Sequence, residues 1–392
     1  MKAVVCQNSE LSVRDLPEPA PGKGQLLLKV LRCGICGSDL HLRHHCDHMR
    51  LLLGRVGYHN FPTSDEPLVF GHEFCGEVLE QGPGVAKGLK PGTRVCAIPV
   101  IRKGTDIDLM GLSVRSPGAY AERVLVDETM AMRVPNGLSS DMAALTEPMA
   151  IGLHAVNRGE VPKNGVAIVI GCGPVGLAVI CMLKAKGVKT IIASDFSAAR
   201  RDLAAKCGAD VVVNPAQESP YASWEEYGFL GGMPNLLELM VGTREQLGKL
   251  PIPWWHSWRI VNALGLKPKM PVIFECVGVP GVLQKIMDGA PLMSRIVVVG
   301  VCMEVDRFEP ALCISKEIDL RFCMGSAPLE FRDTLHMIAD GQVHCEHLIT
   351  GVVGLHGVSD AFDALREPER HAKILIDPSS SAQLPDSKPS HL

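Results

Sequence analysis

The sequence has no apolar run approaching the roughly 20 residues that span a bilayer. Its most apolar stretch, VAIVIGCGPVGLAVICML from Val166, is broken by glycine and proline. A surplus of charge is missing too. The net charge is −4 with 21% charged residues, so nothing favours nucleic acid or a membrane, and a small molecule is the expected partner. The opening residues, MKAVVCQNSELSVRDL, lack the apolar core of a secretory signal, so a cytoplasmic location is expected. The fourteen cysteines are then reduced thiols, mostly small core residues, with metal ligation the exception that has to be argued.

What is present is a folded composition. Hydrophobic residues make up 46% of 392 positions, which is too long for one ordinary core and suits about two domains. The first part reads as β-rich: KAVVC, QLLLKVLRC, FCGEVLEQ, TRVCAIPV and AYAERVLV are short runs rich in β-branched residues between prolines and glycines. From residue 166 strand and helix alternate, as in VAIVIG, PVGLAVICMLKAKG, TIIASD and SAARRDLAAKCG, with Ser197 as an N-cap. VIFECVG and RIVVVGV continue the set, which predicts an α/β fold with a doubly wound parallel sheet. The expected division is a β-rich catalytic domain from 1–160 and 315–380, a nucleotide domain at 161–314, and a disordered tail at 381–392. All four tryptophans, Trp224, Trp254, Trp255 and Trp258, fall in an insertion at 218–268, expected to be a helical flap or a subunit contact.

The glycine pattern is informative through its position. Gly171, Gly173 and Gly176 form a G-x-G-x-x-G, with Pro174 and Val175 inside it, directly after a strand and at the start of a helix. The first glycine permits a tight turn, the second lets backbone approach a pyrophosphate, and the third lets helix pack on strand. The next strand ends in Asp195, whose carboxylate can accept from both ribose hydroxyls and would repel a 2′-phosphate, favouring NAD over NADP. Arg200 and Arg201 soften that preference. Val277, Val299, Gly300 and Val301, at the ends of later strands, complete the expected cofactor contacts.

Metal ligands crowd into CGICGSDLHLRHHCDH, residues 33–48, with three cysteines, four histidines and two aspartates. Cys33 has no second C-x-x-C pair to complete a zinc ribbon, so it is expected in the core. Catalytic zinc needs three N, S or O ligands and an open position. Cys36, His72, Glu73 and Glu147 lie in three pieces that can supply them.

Those pieces, GICGSDLH, GHEFCGEV and TEP, with the glycine fingerprint behind them, resemble the zinc-dependent medium-chain alcohol dehydrogenase superfamily over nearly the whole chain. Thr93 stands where its signature usually has aspartate. Glu147–Pro148 is similar to the sorbitol, butanediol and threonine dehydrogenase subgroup. The resemblance implies a GroES-like catalytic domain beside a Rossmann domain, and a homodimer or homotetramer in which the strand RIVVVGV pairs across a two-fold axis. It implies one zinc held by Cys36, His72 and Glu147, with Glu73 as a neighbouring carboxylate able to enter the shell. Ser38 would bond the substrate oxygen and His41 pass the proton to solvent, while Asp39 orients its neighbours and His154 packs in a helix. Hydride would move between a secondary alcohol or diol and NAD, giving a ketone. No cysteine occurs between Cys96 and Gly118, so the family's structural zinc is expected to be absent. Residues 42–66 are longer than the family pattern and are expected to form a loop near the cleft, where His44, His45, Cys46 and His48 are solvated. With the tryptophan insertion, that loop points to a bulky or apolar substrate. A zinc-free quinone or enoyl reductase would keep the glycines and lack the ligands; a non-enzymatic NAD-binding protein is the other alternative.

Overall fold

The computed structural model describes residues 1–86, 88–135, 137–264 and 269–385. The chain opens with β1 (Lys2–Gln7), β2 (Glu10–Asp15) and β3 (Gln25–Gly34), followed by helix α1 (Gly37–Arg55) and strand β4 (Glu73–Gln81). Next come β5 (Arg94–Ala97), β6 (Val100–Lys103), β7 (Asp106–Leu109), β8 (Arg123–Asp127) and β9 (Ala131–Arg133), then α2 (Ser140–Ala144) and α3 (Thr146–Gly159). An alternating section follows: β10 (Val166–Ile170), α4 (Pro174–Ala185), β11 (Thr190–Ser194), α5 (Ala198–Lys206) and β12 (Val211–Val213). After α6 (Met233–Gly248) and α7 (Trp254–Ala263) it resumes with β13 (Val272–Glu275), α8 (Val282–Gly289), β14 (Arg295–Val298), α9 (Pro310–Lys316) and β15 (Asp319–Phe322). The chain closes with α10 (Pro328–Ala339), β16 (Ile349–Val353), α11 (Val358–Ala364) and β17 (Lys373–Ile376).

Two sheets organise these elements. A seven-stranded sheet runs β16-β17-β3-β4-β5-β9, with β8 also on β3, so the last strand of the chain lies beside the third. The other is all parallel in the order β12-β11-β10-β13-β14-β15, the doubly wound 3-2-1-4-5-6 pattern that opens a ligand crevice at its carboxyl edge. Its central strand VAIVI is buried along nearly its whole length, as a strand covered on both faces must be. Helices α3 and α4 cross closely: a Cβ on Gly152 would come within 2.8 Å of the Ala178 backbone.

Several expectations change. Residues 42–55 are not loop but part of α1, a 19-residue helix in a region expected to lack long ones. The signal was a helical period: Leu42 is buried, and Cys46, Met49 and Leu53 pack behind it on the same core. A non-helical residue, His45, kinks the helix midway. The parallel sheet extends through β15 to Phe322, past the expected boundary at 314. Consequently RIVVVGV, as β14, pairs on both sides and cannot pair with another chain; the edge is β15. Of the expected tail, residues 381–385 pack back onto the fold, with Gly354 N–H donating to the Ala382 carbonyl at 2.8 Å; 386–392 lie outside the described residues.

After β5 comes the small hairpin β6–β7, organised around a fully buried Asp108. Its carboxylate accepts from Asn60, Arg115, Ser116 and Ser113 at 2.6, 2.8, 3.0 and 3.3 Å. Among the described residues no helix is long and apolar enough to cross a membrane.

Candidate metal and nucleotide site

Cys36 is the N-cap of α1, and Glu147 lies in the first turn of α3. Both therefore project from helix N-termini, where partial positive charge favours anionic ligands. His72 immediately precedes β4 and Glu73 begins it. Glu73 pairs in register with Gly34, which must be glycine, because a Cβ there would overlap the Glu73 carboxylate.

One ligand atom each from Cys36, His72 and Glu73 lie within 4.8 Å of one another, the single such group of three or more His, Cys, Asp or Glu among the described residues. Tetrahedral zinc, with bonds of about 2.0–2.3 Å, would draw them slightly closer. Glu147 stands beside this trio rather than in it, near enough to act electrostatically on His72. Burial pushes its carboxyl up to about 7, against the pull of His72. Burial opposes a charge on His72, yet Asp39, Cys36 and Glu147 outweigh it and hold the imidazole well above its ordinary range. The S, N and O donors of the trio are those that suit zinc.

A buried lysine there, Lys373 at the start of β17, was not anticipated from the sequence. It is 1% exposed, like Glu73, and its Nζ donates to Glu73 Oε1 and Oε2 at 2.8 and 2.7 Å and to the Ile35 carbonyl at 2.9 Å. Burial works against the lysine charge, but Glu73, then Cys36 and Glu147, more than offset it. Its only sequence signal was a lysine leading the apolar strand KILI.

Ser38 and His41 sit one turn apart on α1, both half-buried. His41 lines a cavity of about 430 Å³ with Gly173, Pro174, Arg200 and Val277, so α1 and the glycine turn form opposite walls. His44 and His45 line it as well; both are exposed, on a helix rather than in a loop. His154 is packed as expected, its Nδ1 2.9 Å from Glu330 Oε2.

The three glycines differ in what surrounds them. Gly171 has φ +90°, a Cβ on Gly176 would overlap the Gly171 carbonyl, and the Cβ position of Gly173 is open apart from the Arg200 guanidinium at 4.0 Å. Asp195 closes the turn, accepting from Cys172 N–H at 2.7 Å and Ser197 N–H at 2.8 Å. Arg201 is turned onto the Asp195 and Phe196 carbonyls, while Arg200 reaches towards the glycines. Val277 and the Val299–Val301 segment meet at the adjoining strand ends, where Gly300 lies against Gly278. They are tied by Glu275, a second unanticipated residue, 3% exposed, which accepts from Val277 and Gly278 N–H at 2.7 and 2.8 Å.

A nucleotide crevice facing a domain with a thiol, imidazole and carboxylate cluster defines a two-domain nucleotide-dependent dehydrogenase. Comparison with known proteins gives the family. The alcohol dehydrogenase GroES-like domain profile matches residues 22–136, and the zinc-binding dehydrogenase profile residues 174–340. The chain is 28% identical to (R,R)-butanediol dehydrogenase of Bacillus subtilis, over 96% of this chain and 100% of the relative. It is 26% identical to human sorbitol dehydrogenase, over 94% and 93%. A putative zinc-binding dehydrogenase from Sinorhizobium meliloti, solved with NADP, superposes with a TM-score of 0.72 at 26% identity, over 96% and 99% of the two chains. This chain belongs to the zinc-dependent medium-chain dehydrogenase family and is an oxidoreductase acting on alcohols.

Proposed function

We propose that the protein oxidises a secondary alcohol or vicinal diol to a ketone with NAD, using one zinc per chain. The observation that carries this is the meeting of Cys36, His72 and Glu73 within 4.8 Å in a pocket that Glu147 also borders. Cys36, His72 and Glu147 would hold the metal. Both Glu73 oxygens already accept from Lys373, which leaves Glu147 as the freer carboxylate. When bound, zinc supplies Lewis acidity for an alcohol oxygen and NAD accepts hydride. Ser38 receives the hydroxyl proton and His41 passes it to the cavity. Burial and the neighbouring His45 charge lower the His41 pKa, so it is neutral and able to accept at neutral pH. The turn at Gly171–Gly176 receives the pyrophosphate, and Asp195 the ribose, which favours NAD. The names of the butanediol and sorbitol dehydrogenase relatives support a substrate with neighbouring hydroxyls.

All fourteen cysteines are free thiols, in keeping with a cytoplasmic setting. Self-association would use the open edge of β15, beside which Phe322 and Met324 are 63% and 91% exposed.

The test is an alcohol and diol panel run with NAD and NADP in parallel, alongside elemental analysis and Cys36→Ala. The expected result is NAD reduction, about one zinc per chain, and loss of turnover in the variant. Full activity without zinc, or turnover retained in Cys36→Ala, would overturn the reading.

A further inference from the structure

Asp39 is a fully buried carboxylate beside the metal pocket, reached by one donor from the start of its own helix and one from a distant segment. Its Oδ2 accepts from the Tyr120 hydroxyl at 2.6 Å and from Cys36 N–H at 3.2 Å. Its Oδ1 faces His72 Nδ1 at 3.6 Å, and these two buried atoms have no hydrogen-bond partner. Leaving such groups unpaired in a buried site is costly. An approach of about 0.7 Å, to the usual N–H···O distance, would remove that cost for both.

Tyr120 has little freedom to do anything else. Its ring is 0% exposed and stands edge-on to Phe70 and Phe362, with centroids 6.3 and 6.2 Å away. Gly71, at φ +105°, lets the chain pass so close that a Cβ there would lie 2.5 Å from Tyr120 Cδ1. The backbone is fixed as well, Tyr120 N–H donating to the Phe70 carbonyl at 2.9 Å. The hydroxyl is therefore a stationary donor.

We infer that Tyr120 is a positioning residue for the metal centre. Its hydroxyl engages Oδ2, so that Oδ1 is the oxygen presented to His72 Nδ1–H. The hydrogen bond formed when the two atoms close that gap would select the tautomer whose bare Nε2 is left for the metal. Because Oδ2 also receives the Cys36 amide, one carboxylate sets the backbone of one ligand and the ring of another. Tyr120 touches neither substrate nor cofactor; it acts through Asp39.

The inference rests on the zinc reading, and its test separates the two. Tyr120→Phe keeps the ring and removes one oxygen. Competition with a chromophoric zinc chelator should show zinc held about 10-fold less tightly in the variant. ¹⁵N spectra of histidine-labelled, zinc-loaded wild type should show His72 protonated at Nδ1 and metallated at Nε2, and the variant should lose or broaden that Nδ1–H signal. A purely structural tyrosine would change the unfolding midpoint and leave the His72 signal alone. Equal zinc affinity with an unchanged signal in the variant, or zinc on Nδ1 in wild type, would overturn the inference while leaving the zinc enzyme intact. Failure of wild type to take up zinc would remove both. The wild-type spectrum decides the tautomer even if the variant does not fold.

Discussion

The pocket around Lys373 and the helical pair α6–α7 are opposites. In the pocket, charges are buried and held: Asp39, Glu73 and Lys373 are at most 1% exposed, and each meets a partner from a distant part of the chain. In α6–α7 apolar side chains are left outside. No residue of α6 is buried and only Ser257 of α7 is, while Leu237, Met240, Val241, Trp255 and Ile260 are between 49% and 55% exposed. The two regions differ in what fixes them. Strands β3, β4 and β17 are held in register by their ladders, so polar atoms can be placed to a few tenths of an ångström. The helical pair hangs from one crossover, and its tryptophans pack on one another and on Arg244, which lies 4.5 Å from the Trp254 ring.

The largest effect should come from breaking the pocket. Lys373→Met leaves Glu73 a buried charge without its partner, and should cost about 3–5 kcal/mol in urea unfolding. Adding Glu73→Gln should recover much of that loss. A single-variant loss under about 1 kcal/mol would mean that the pair behaves like a surface salt bridge and that the contrast between the regions is false. A step smaller, and in rate rather than stability, His41→Gln should lower kcat about 100-fold. The sign of its pH dependence follows from the lowered His41 pKa. Wild-type kcat/KM should stay level above that pKa and fall as pH drops through a midpoint below the ordinary histidine value of about 6.5. The variant should lack that acid limb; an unchanged limb would remove His41 from the proton route.

How much was legible beforehand divides along the same line. The glycine turn and the parallel sheet were readable because each follows from local pattern: alternating strand and helix, and glycines at the one junction where backbone must approach a phosphate. Cys36, His72 and Glu73 came from two motifs, GICGSDLH and GHEFCGEV, and the sheet brings them together. The roles of Lys373 and Tyr120 were not readable, since their partners lie 300 and 81 positions away and a lysine leading the apolar strand KILI does not name its partner. Helix α1 was missed for another reason. Its histidines drew attention as ligands and concealed a plain helical period of Leu42, Cys46, Met49 and Leu53. Glu275 did have a signal, a carboxylate ending the apolar strand VIFE, which is costly unless it is given donors.

The smallest effect belongs to the helical pair, and it decides what that pair is for. On α6, Met233, Leu237, Met240 and Val241 follow an i, i+4, i+7, i+8 spacing and are all exposed, a stripe along one side of the helix. If that stripe meets only water, replacing Leu237 and Val241 together by glutamine should change stability by no more than about 0.5 kcal/mol, as surface substitutions do. Turnover should not change, because none of these residues lines the cavity between His41 and Gly173. If the stripe is covered by another copy of the chain, the wild-type unfolding midpoint should rise with protein concentration, and the same double variant should lower the mass seen by light scattering and weaken that dependence. Solvent exposure would make the excursion an addition that the two sheets carry without needing it. A drop in mass would make it a second, apolar anchor in an assembly whose metal pocket is closed by charge.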